Sequence, residues 1–222
     1  MIRFIAPLIA ALFLMACGSD AGPEFESPGN TQNVVLKTDM GDIHIELFTE
    51  KAPNSTRDFL NYVEGGIFDF NAEDATLNSG FYRVVRPDND NRNMGMSIIQ
   101  GGMLSLETYT PFVEHESTEM TGFSNIEGSV ALARDTVGTG NAAYFYINVT
   151  DNPFLDHGGT RNEDGQGYAV FGRVTKGMTV VRKIHGLPTY EKGEAVNQPP
   201  EFQLMDDQLL KHPVFIKTAK SI

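Results

Sequence analysis

The stretch VVLKTDMGDIHIELF, residues 34–48, largely alternates apolar and polar side chains on both sides of a central Met40-Gly41-Asp42. Alternation with a period of two is typical of a β-strand with one buried face, and a glycine between two such runs favours a tight turn. The stretch therefore predicts a β-hairpin, and the chain enters a sheet here.

Strand-like runs continue along the chain and are interrupted by two segments with helical spacing. Residues 52–65 have a proline near their start, apolar residues at helical spacing and a double glycine at their end, which predicts a helix. Residues 176–185 place apolar residues three positions apart and predict a second helix. Further strands are predicted in residues 81–85, 96–102, 125–134, 141–149, 167–174 and 214–222. Many strands with two helices and frequent glycine turns favour an antiparallel β-barrel capped by helices.

The first seventeen residues, MIRFIAPLIAALFLMAC, carry one basic residue and then an apolar stretch too short to span a bilayer. Residues 1–16 are therefore predicted to be an export signal. The end of the segment resembles the bacterial lipobox, which implies that Cys17 becomes the lipidated first residue of the mature protein. The alternative is a cleaved secretory peptide that ends in cysteine by chance. Gly18 favours the outer membrane under the sorting pattern of such lipoproteins.

The rest of the chain is predicted to form one domain on a tether. Residues 17–33 combine the cysteine with a stretch rich in Gly, Pro, Ser and acids, the composition of a flexible linker. Residues 34–222 remain as the folded domain, and 41% hydrophobic residues suffice for its core. A net charge of −12 argues against a nucleic-acid partner. The single cysteine excludes an internal disulfide.

Two predicted strands each carry one polar side chain that a buried strand disfavours: Arg83 in FYRVV and Gln100 in SIIQ. An unpaired buried charge is costly. With regular alternation, Arg83 shares one strand face with Phe81 and Val85. Gln100 likewise shares a face with Ile98. We therefore expect both polar side chains to point into one cleft; the alternative is a strand-end arginine that reaches solvent.

Eight short sequence blocks follow one another along the chain: TDMGDIHIELF, APNSTRDFLNYV, FYRVV, IIQGG, GSVALAR, YFYINV, PFLD and YAVFGRVTKGMTVV. Together they resemble the cyclophilin-type peptidyl-prolyl cis-trans isomerases, from about residue 34 to the C-terminus. The resemblance implies a mainly β fold, a closed eight-stranded antiparallel β-barrel capped by two α-helices. It implies rotation about the peptide bond before proline, with no metal and no cofactor.

The resemblance also implies roles for nine residues. The family's catalytic arginine falls on Arg83, which would donate a hydrogen bond to the prolyl nitrogen. Its cleft glutamine falls on Gln100, which would hold Arg83 and bind the substrate backbone. The implied substrate-binding residues are Ile98, Tyr146 and Leu155 at the floor of the proline pocket, Ala133 and Phe154 along the peptide groove, Tyr168 at its rim, and Tyr144.

The sequence departs from the common family pattern at several of these positions. Ser97 stands where an aromatic residue is usual, and Tyr144 stands where a glutamine or a similar residue is usual. Tyr146 replaces phenylalanine, and its hydroxyl needs a partner if the pocket is dry. Ser97 and Tyr144 motivate a second hypothesis, a cyclophilin-like module that binds proline-containing segments without turnover.

Other motifs that could indicate a metal site or a hydrolase give weaker signals. The five histidines are dispersed without metal-ligand spacing. Asp156-His157 lacks the nucleophile turn of a hydrolase, and residues 88–91 resemble the start of a calcium loop without its closing glutamate. The leading hypothesis is therefore a monomeric, lipid-anchored peptidyl-prolyl isomerase that faces the periplasm. Its partners would be proline-containing segments of exported proteins, whose folding it would assist.

Overall fold

The computed structural model of the protein describes residues 29–74, 77–104, 111–194 and 205–222. Within these ranges, eight strands form one closed antiparallel barrel. The strands are β1 (Gln32–Thr38), β2 (Gly41–Leu47), β3 (Ser79–Val85), β4 (Ile98–Met103), β5 (Ser129–Leu132), β6 (Tyr144–Asn148), β7 (Val170–Lys176) and β8 (Leu209–Ser221). Their order around the barrel is β1, β2, β7, β5, β6, β4, β3 and β8, and β8 closes on β1. The predicted barrel is confirmed.

Three α-helices lie in the described part of the chain: α1 (Pro53–Glu64), α2 (Thr118–Thr121) and α3 (Met178–His185). The sequence predicts α1 and α3, and the structure confirms both. The single turn α2 is too short to show a helical period. It forms because the Ser117 side chain accepts a hydrogen bond from the Met120 backbone N–H, while Gly122 ends the turn in a left-handed conformation.

The barrel interior is filled by aromatic side chains from the strands and from α1. Phe59 of α1 meets Phe145 of β6 edge to face, with ring centroids 5.3 Å apart. Phe81 of β3 meets the same Phe145 ring at 5.9 Å. All three side chains are fully buried, and the three apolar residues predicted to share one face of α3 are buried as well. Close packing on this scale makes the barrel a rigid support for whatever lies on its outer face.

A β-bulge in β3 decides which side chains face outward. Phe81 pairs with Gly101 of β4, while Arg83 pairs with Gln100, the residue immediately before Gly101. Tyr82 is therefore an extra residue in β3 that has no counterpart in β4. Because of this insertion, Phe81 points into the barrel and Arg83 points out of it.

Beyond the bulge the alternation of β3 is regular again. Val85 pairs with Ile98, and both belong to an apolar cluster outside the barrel, whereas Phe81 belongs to the interior core. The predicted face shared by Arg83 and Val85 is thus correct. The prediction that Phe81 shares it is wrong, because one extra residue inverts the alternation between Phe81 and Arg83.

Most strand boundaries differ from the predicted ones by a few residues, and two of these differences have a clear cause in the sequence. The predicted tether includes Gln32 and Asn33, but both residues already pair with β2. Backbone pairing does not require apolar side chains, so a polar strand end resembles a linker in the sequence. β8 begins at Leu209, ahead of the predicted strand in residues 214–222. The sequence does not predict this extension, because Pro213 lies within it and a proline argues against a strand. The pairing of β3 with β8 also shifts register in this region.

The predicted signal peptide in residues 1–16, Cys17 and most of the tether lie outside the described residues. Among the helices that are described, none has the length and apolar character needed to cross a membrane.

Candidate active site

A cleft of about 480 Å³ opens on the outer face of the barrel, beside β3, β4 and β6. Eight of the nine predicted site residues line it. They are Arg83, Ile98, Gln100, Ala133, Tyr144, Tyr146, Leu155 and Tyr168. Phe154 does not line the cleft; its side chain packs against the apolar cluster beneath it. Phe154 belongs to a single 3₁₀ turn, Pro153–Leu155, and it is Leu155 from this turn that contributes to the lining.

Arg83 is held at three of its N–H groups by two neutral carboxamides. Its Nη1 donates to Gln100 Oε1 at 2.6 Å, as the sequence predicts. Its Nε and Nη2 both donate to Gln208 Oε1, at 2.9 Å and 2.6 Å. Burial lowers the pKa of Arg83, but an arginine side chain remains protonated in proteins. The cleft therefore contains a fixed, charged guanidinium.

Gln100 is itself fixed by the bulged residue Tyr82. The Gln100 Nε2 donates to the Tyr82 hydroxyl at 2.9 Å, while its Oε1 accepts from Arg83. Burial, the largest influence, raises the pKa of Tyr82 far above that of an exposed tyrosine, so the hydroxyl stays protonated. Tyr82 also lines the cleft, although it is not among the predicted site residues. Regular alternation would place it on the opposite face from Arg83, and the bulge brings it to the same side.

The floor of the cleft is apolar. Ile98, Tyr146 and Leu155 belong to one buried cluster, as predicted, and Met96 joins them in that cluster and in the cleft lining. The Tyr168 ring stands edge to face against Tyr146, with centroids 5.7 Å apart. A proline ring is apolar and compact, so a floor of this composition suits it.

The absence of an aromatic residue at Ser97 has a structural explanation. The Ser97 backbone N–H donates to Asn152 Oδ1 at 3.1 Å, and its hydroxyl lies 3.2 Å from His185 Nε2 of α3. Its side chain therefore interacts with α3, and the preceding Met96 lines the cleft instead. Methionine is flexible enough to fill such a gap. The sequence gives no signal for Met96, because the usual aromatic position of the family falls on Ser97 instead.

Two further arginines line the cleft, and each is paired with a carboxylate. Arg134 contacts both oxygens of Asp164, at 2.7 Å and 2.9 Å, and its guanidinium lies over the Tyr168 ring, 5.1 Å from the centroid. The hydrogen bonds from Arg134 lower the pKa of Asp164 to about 2. Arg161 donates to Asp90 at 2.6 Å, and both side chains are at least nine-tenths buried. The sequence gives no signal for either arginine, because the partner carboxylate of each lies in a distant loop.

Asp90 also organises the loop between β3 and β4, where residues 88–91 resemble the start of a calcium loop in the sequence. Its carboxylate accepts hydrogen bonds from the backbone N–H groups of Arg92, Met94 and Met96. Burial tends to raise the pKa of Asp90, but these bonds and Arg161 lower it overall.

No group of three or more His, Cys, Asp or Glu side chains that could hold a metal occurs in the described ranges.

Comparison with known proteins identifies the family to which the chain belongs. Residues 33–204 match the family described as cyclophilin type peptidyl-prolyl cis-trans isomerase/CLD. The chain belongs to the cyclophilins. Peptidyl-prolyl cis-trans isomerase A of Dickeya dadantii is 32% identical over 99% of this chain and 97% of its own length. Peptidyl-prolyl cis-trans isomerase B of Escherichia coli is 34% identical over 76% of this chain and 93% of its own length.

Solved structures agree with the cyclophilin fold. A cyclophilin-type isomerase of Cryptosporidium parvum superposes with a TM-score of 0.61 at 17% identity, over 87% of this chain and 98% of that one. The sequence relatives and the family match support a rotamase acting on proline-containing peptides, rather than a module that binds them without turnover. This cyclophilin is therefore a peptidyl-prolyl cis-trans isomerase.

Proposed function

We propose that this cyclophilin isomerises X-Pro bonds of exported proteins in the cell envelope, with Arg83 as the group that stabilises the twisted peptide bond. One observation carries the catalytic part of the proposal. Arg83 lines the cleft with a guanidinium that donates to Gln100 and Gln208 through three N–H groups. A guanidinium has five such groups, so two remain for a bound peptide.

The reaction needs a positioned donor and no nucleophile. Rotation about the bond before proline has a barrier of about 20 kcal/mol, because amide conjugation must be broken. As the bond twists, the prolyl nitrogen loses conjugation and gains a usable lone pair. An Arg83 N–H directed at this nitrogen binds it more strongly in the twisted state than in the planar state, which lowers the barrier.

The remaining cleft residues hold the peptide while the bond rotates. The apolar floor of Ile98, Met96, Tyr146 and Leu155 grips the proline ring, so the carbonyl side of the bond turns against a fixed ring. The Gln100 amide uses one hydrogen to bind Tyr82, and its second hydrogen is available to a substrate carbonyl. No cofactor takes part in this scheme.

The test compares cis-trans exchange of a short X-Pro peptide, measured by proton exchange NMR, with the wild-type protein and its variants. Arg83→Ala is expected to lower kcat about 100-fold or more, the range typical for the loss of a donor to developing charge. Arg83→Lys keeps the charge without the planar fork and is expected to recover only a small part of the rate. The control is Arg57→Ala, which removes an exposed arginine of α1 and should leave the rate unchanged.

An Arg83→Ala protein that is folded and isomerises the peptide at the wild-type rate would refute Arg83 as the donor. A variant that loses peptide binding but keeps kcat would show that Arg83 contributes affinity alone.

The location in the envelope rests on the first seventeen residues, whose pattern predicts export and lipidation at Cys17. The acyl chains would hold the domain at the membrane, with an outer-membrane location favoured by Gly18, and exported proteins would be within its reach. Cells expressing the full chain should incorporate radioactive palmitate into the wild-type protein and not into Cys17→Ser. Equal labelling of the two proteins, or no labelling of either, would contradict the anchor.

A further inference from the structure

Gln208 holds Arg83 from the opposite side to Gln100. It lies in a single 3₁₀ turn, Asp206–Gln208, immediately before β8 and 125 residues from Arg83 in the chain. Its side chain is fully buried, and its Oε1 accepts from both Nε and Nη2 of the guanidinium. We propose that Gln208 is a positioning residue that fixes Arg83 in the orientation that donates to the substrate, an inference that rests on the proposed role of Arg83.

The orientation of the Gln208 carboxamide is determined by partners on both of its ends. Its Nε2 donates to the Asn89 backbone carbonyl at 2.6 Å, while its Oε1 faces the Arg83 donors. A rotated amide would place its NH₂ against the guanidinium and its oxygen against a carbonyl, so both contacts would become repulsive. Gln208 therefore acts as a fixed acceptor.

The loop between β3 and β4 supplies this support. The Asn89 side chain donates to the Asp207 backbone carbonyl at 2.9 Å and accepts from the Arg86 backbone N–H at 2.6 Å. The loop is thus tied both to its own start and to the turn that carries Gln208. The loop between β3 and β4 thus reaches across to the 3₁₀ turn and holds it beside Arg83.

Gln100 and Gln208 together form a clamp on Arg83. Its partners differ in charge from those of the other two arginines in the cleft. Arg134 and Arg161 are paired with the carboxylates of Asp164 and Asp90, whereas Arg83 donates to two uncharged amides. A carboxylate would neutralise the guanidinium and weaken its remaining N–H groups as donors. Neutral carboxamides fix the same geometry and leave the positive charge available for the prolyl nitrogen.

Two substitutions separate geometry from charge. Gln208→Met has a similar length but no acceptor, so Arg83 loses two of its three hydrogen bonds and keeps only the one to Gln100. We expect kcat to fall about 10- to 100-fold with little change in KM. Gln208→Glu retains an acceptor for Arg83, loses the bond to Asn89 and neutralises the guanidinium. We expect it to hold the guanidinium in place and still lose at least about tenfold in kcat. Gln32→Met, a half-buried glutamine at the start of β1, is the matched control.

The Arg83 Nε–H resonance in ¹⁵N NMR of the full-length protein reports on the clamp independently of activity. Its hydrogen should exchange slowly in the wild type and in Gln208→Glu, and rapidly in Gln208→Met. A folded Gln208→Met protein with wild-type kcat and a slowly exchanging Nε–H would overturn the positioning role. A Gln208→Glu protein with wild-type kcat would overturn the requirement for a neutral acceptor.

A double-variant cycle separates this inference from the proposed role of Arg83. If Gln208 acts through the guanidinium, Gln208→Met should lower kcat in the wild-type background and have no further effect on Arg83→Ala. Equal losses in both backgrounds would show that Gln208 acts by another route. If Arg83→Ala alone is fully active, the proposed catalytic role fails, while the Nε–H measurement still decides whether Gln208 holds the side chain.

Discussion

Tyr146 donates its hydroxyl hydrogen to Asn125 Oδ1 over 2.7 Å, beneath the apolar floor of the cleft. Asn125 is fully buried and donates in turn to the Asp156 carboxylate at 2.8 Å and to the Leu155 carbonyl at 3.2 Å. The hydroxyl that distinguishes Tyr146 from the usual phenylalanine therefore has the partner that a dry pocket requires. It ties the floor to the turn that carries Leu155.

Removing that hydroxyl should cost stability more than activity. In Tyr146→Phe the ring remains in the floor, but Asn125 Oδ1 keeps only the weaker contact from Asn148 Nδ2 at 3.3 Å. We expect the free energy of unfolding to fall by about 1 kcal/mol, with isomerase activity within about threefold of wild type. Urea denaturation and the exchange assay check this, with Tyr190→Phe as the control. A large loss of kcat without a loss of stability would contradict it.

Tyr82 is expected to support catalysis through Gln100. Tyr82→Phe removes the acceptor for the Gln100 Nε2, and one net hydrogen bond is worth about 0.5–1.5 kcal/mol. The looser carboxamide should therefore lower kcat/KM about two- to tenfold, and the loss should disappear in a Gln100→Ala background. A loss of the same size in both backgrounds would show that Tyr82 acts independently of Gln100.

The buried pair of Asp90 and Arg161 should matter strongly for stability. Arg161→Met leaves the Asp90 carboxylate buried without its cation, which typically costs about 3 kcal/mol or more. Adding Asp90→Asn removes the uncompensated charge and should restore part of the loss. Thermal and urea unfolding of the single and double variants measure both effects. A single variant as stable as the wild type would contradict the pairing.

His185 should make the domain less stable in mild acid. Burial is the main cause that lowers the pKa of His185, and its Nε2 lies 2.9 Å from the Val85 carbonyl oxygen and 3.2 Å from the Ser97 hydroxyl. The unfolded chain therefore binds a proton at higher pH than the folded protein. Stability is fully present above the ordinary histidine pKa of about 6.5 and declines as the pH falls below it.

The measurement is the free energy of unfolding between pH 7.5 and 5 for the wild type, His185→Gln and His212→Gln. We expect the decline to be shallower in His185→Gln, whose amide can still donate to Val85. The exposed His212 serves as the control and should leave the wild-type slope unchanged. Parallel curves for the wild type and His185→Gln would refute the role of His185.

Local sequence patterns predict much of this structure because the interactions that create them are local. Alternating side chains predict the hairpin of β1 and β2, and apolar spacing predicts α1 and α3. Ordered blocks that resemble a known family predict eight residues of the cleft lining. Arg83 and Gln100 meet as predicted, because paired strands bring residues at matching register into contact.

The features that the sequence leaves undecided depend on contacts between distant segments. The bulge at Tyr82 is invisible in an alternating run, yet it turns Arg83 outward while Phe81 stays in the core. Gln208 lies in a segment with no strand or helix period, and only closure of the barrel brings it beside Arg83. The sequence by itself determined most of the strands and helices, because side-chain periodicity follows from backbone geometry, and its resemblance to a known family determined most of the cleft's residue types. The tertiary structure alone decided how the guanidinium is held, because hydrogen bonds between segments 125 residues apart leave no periodic signal.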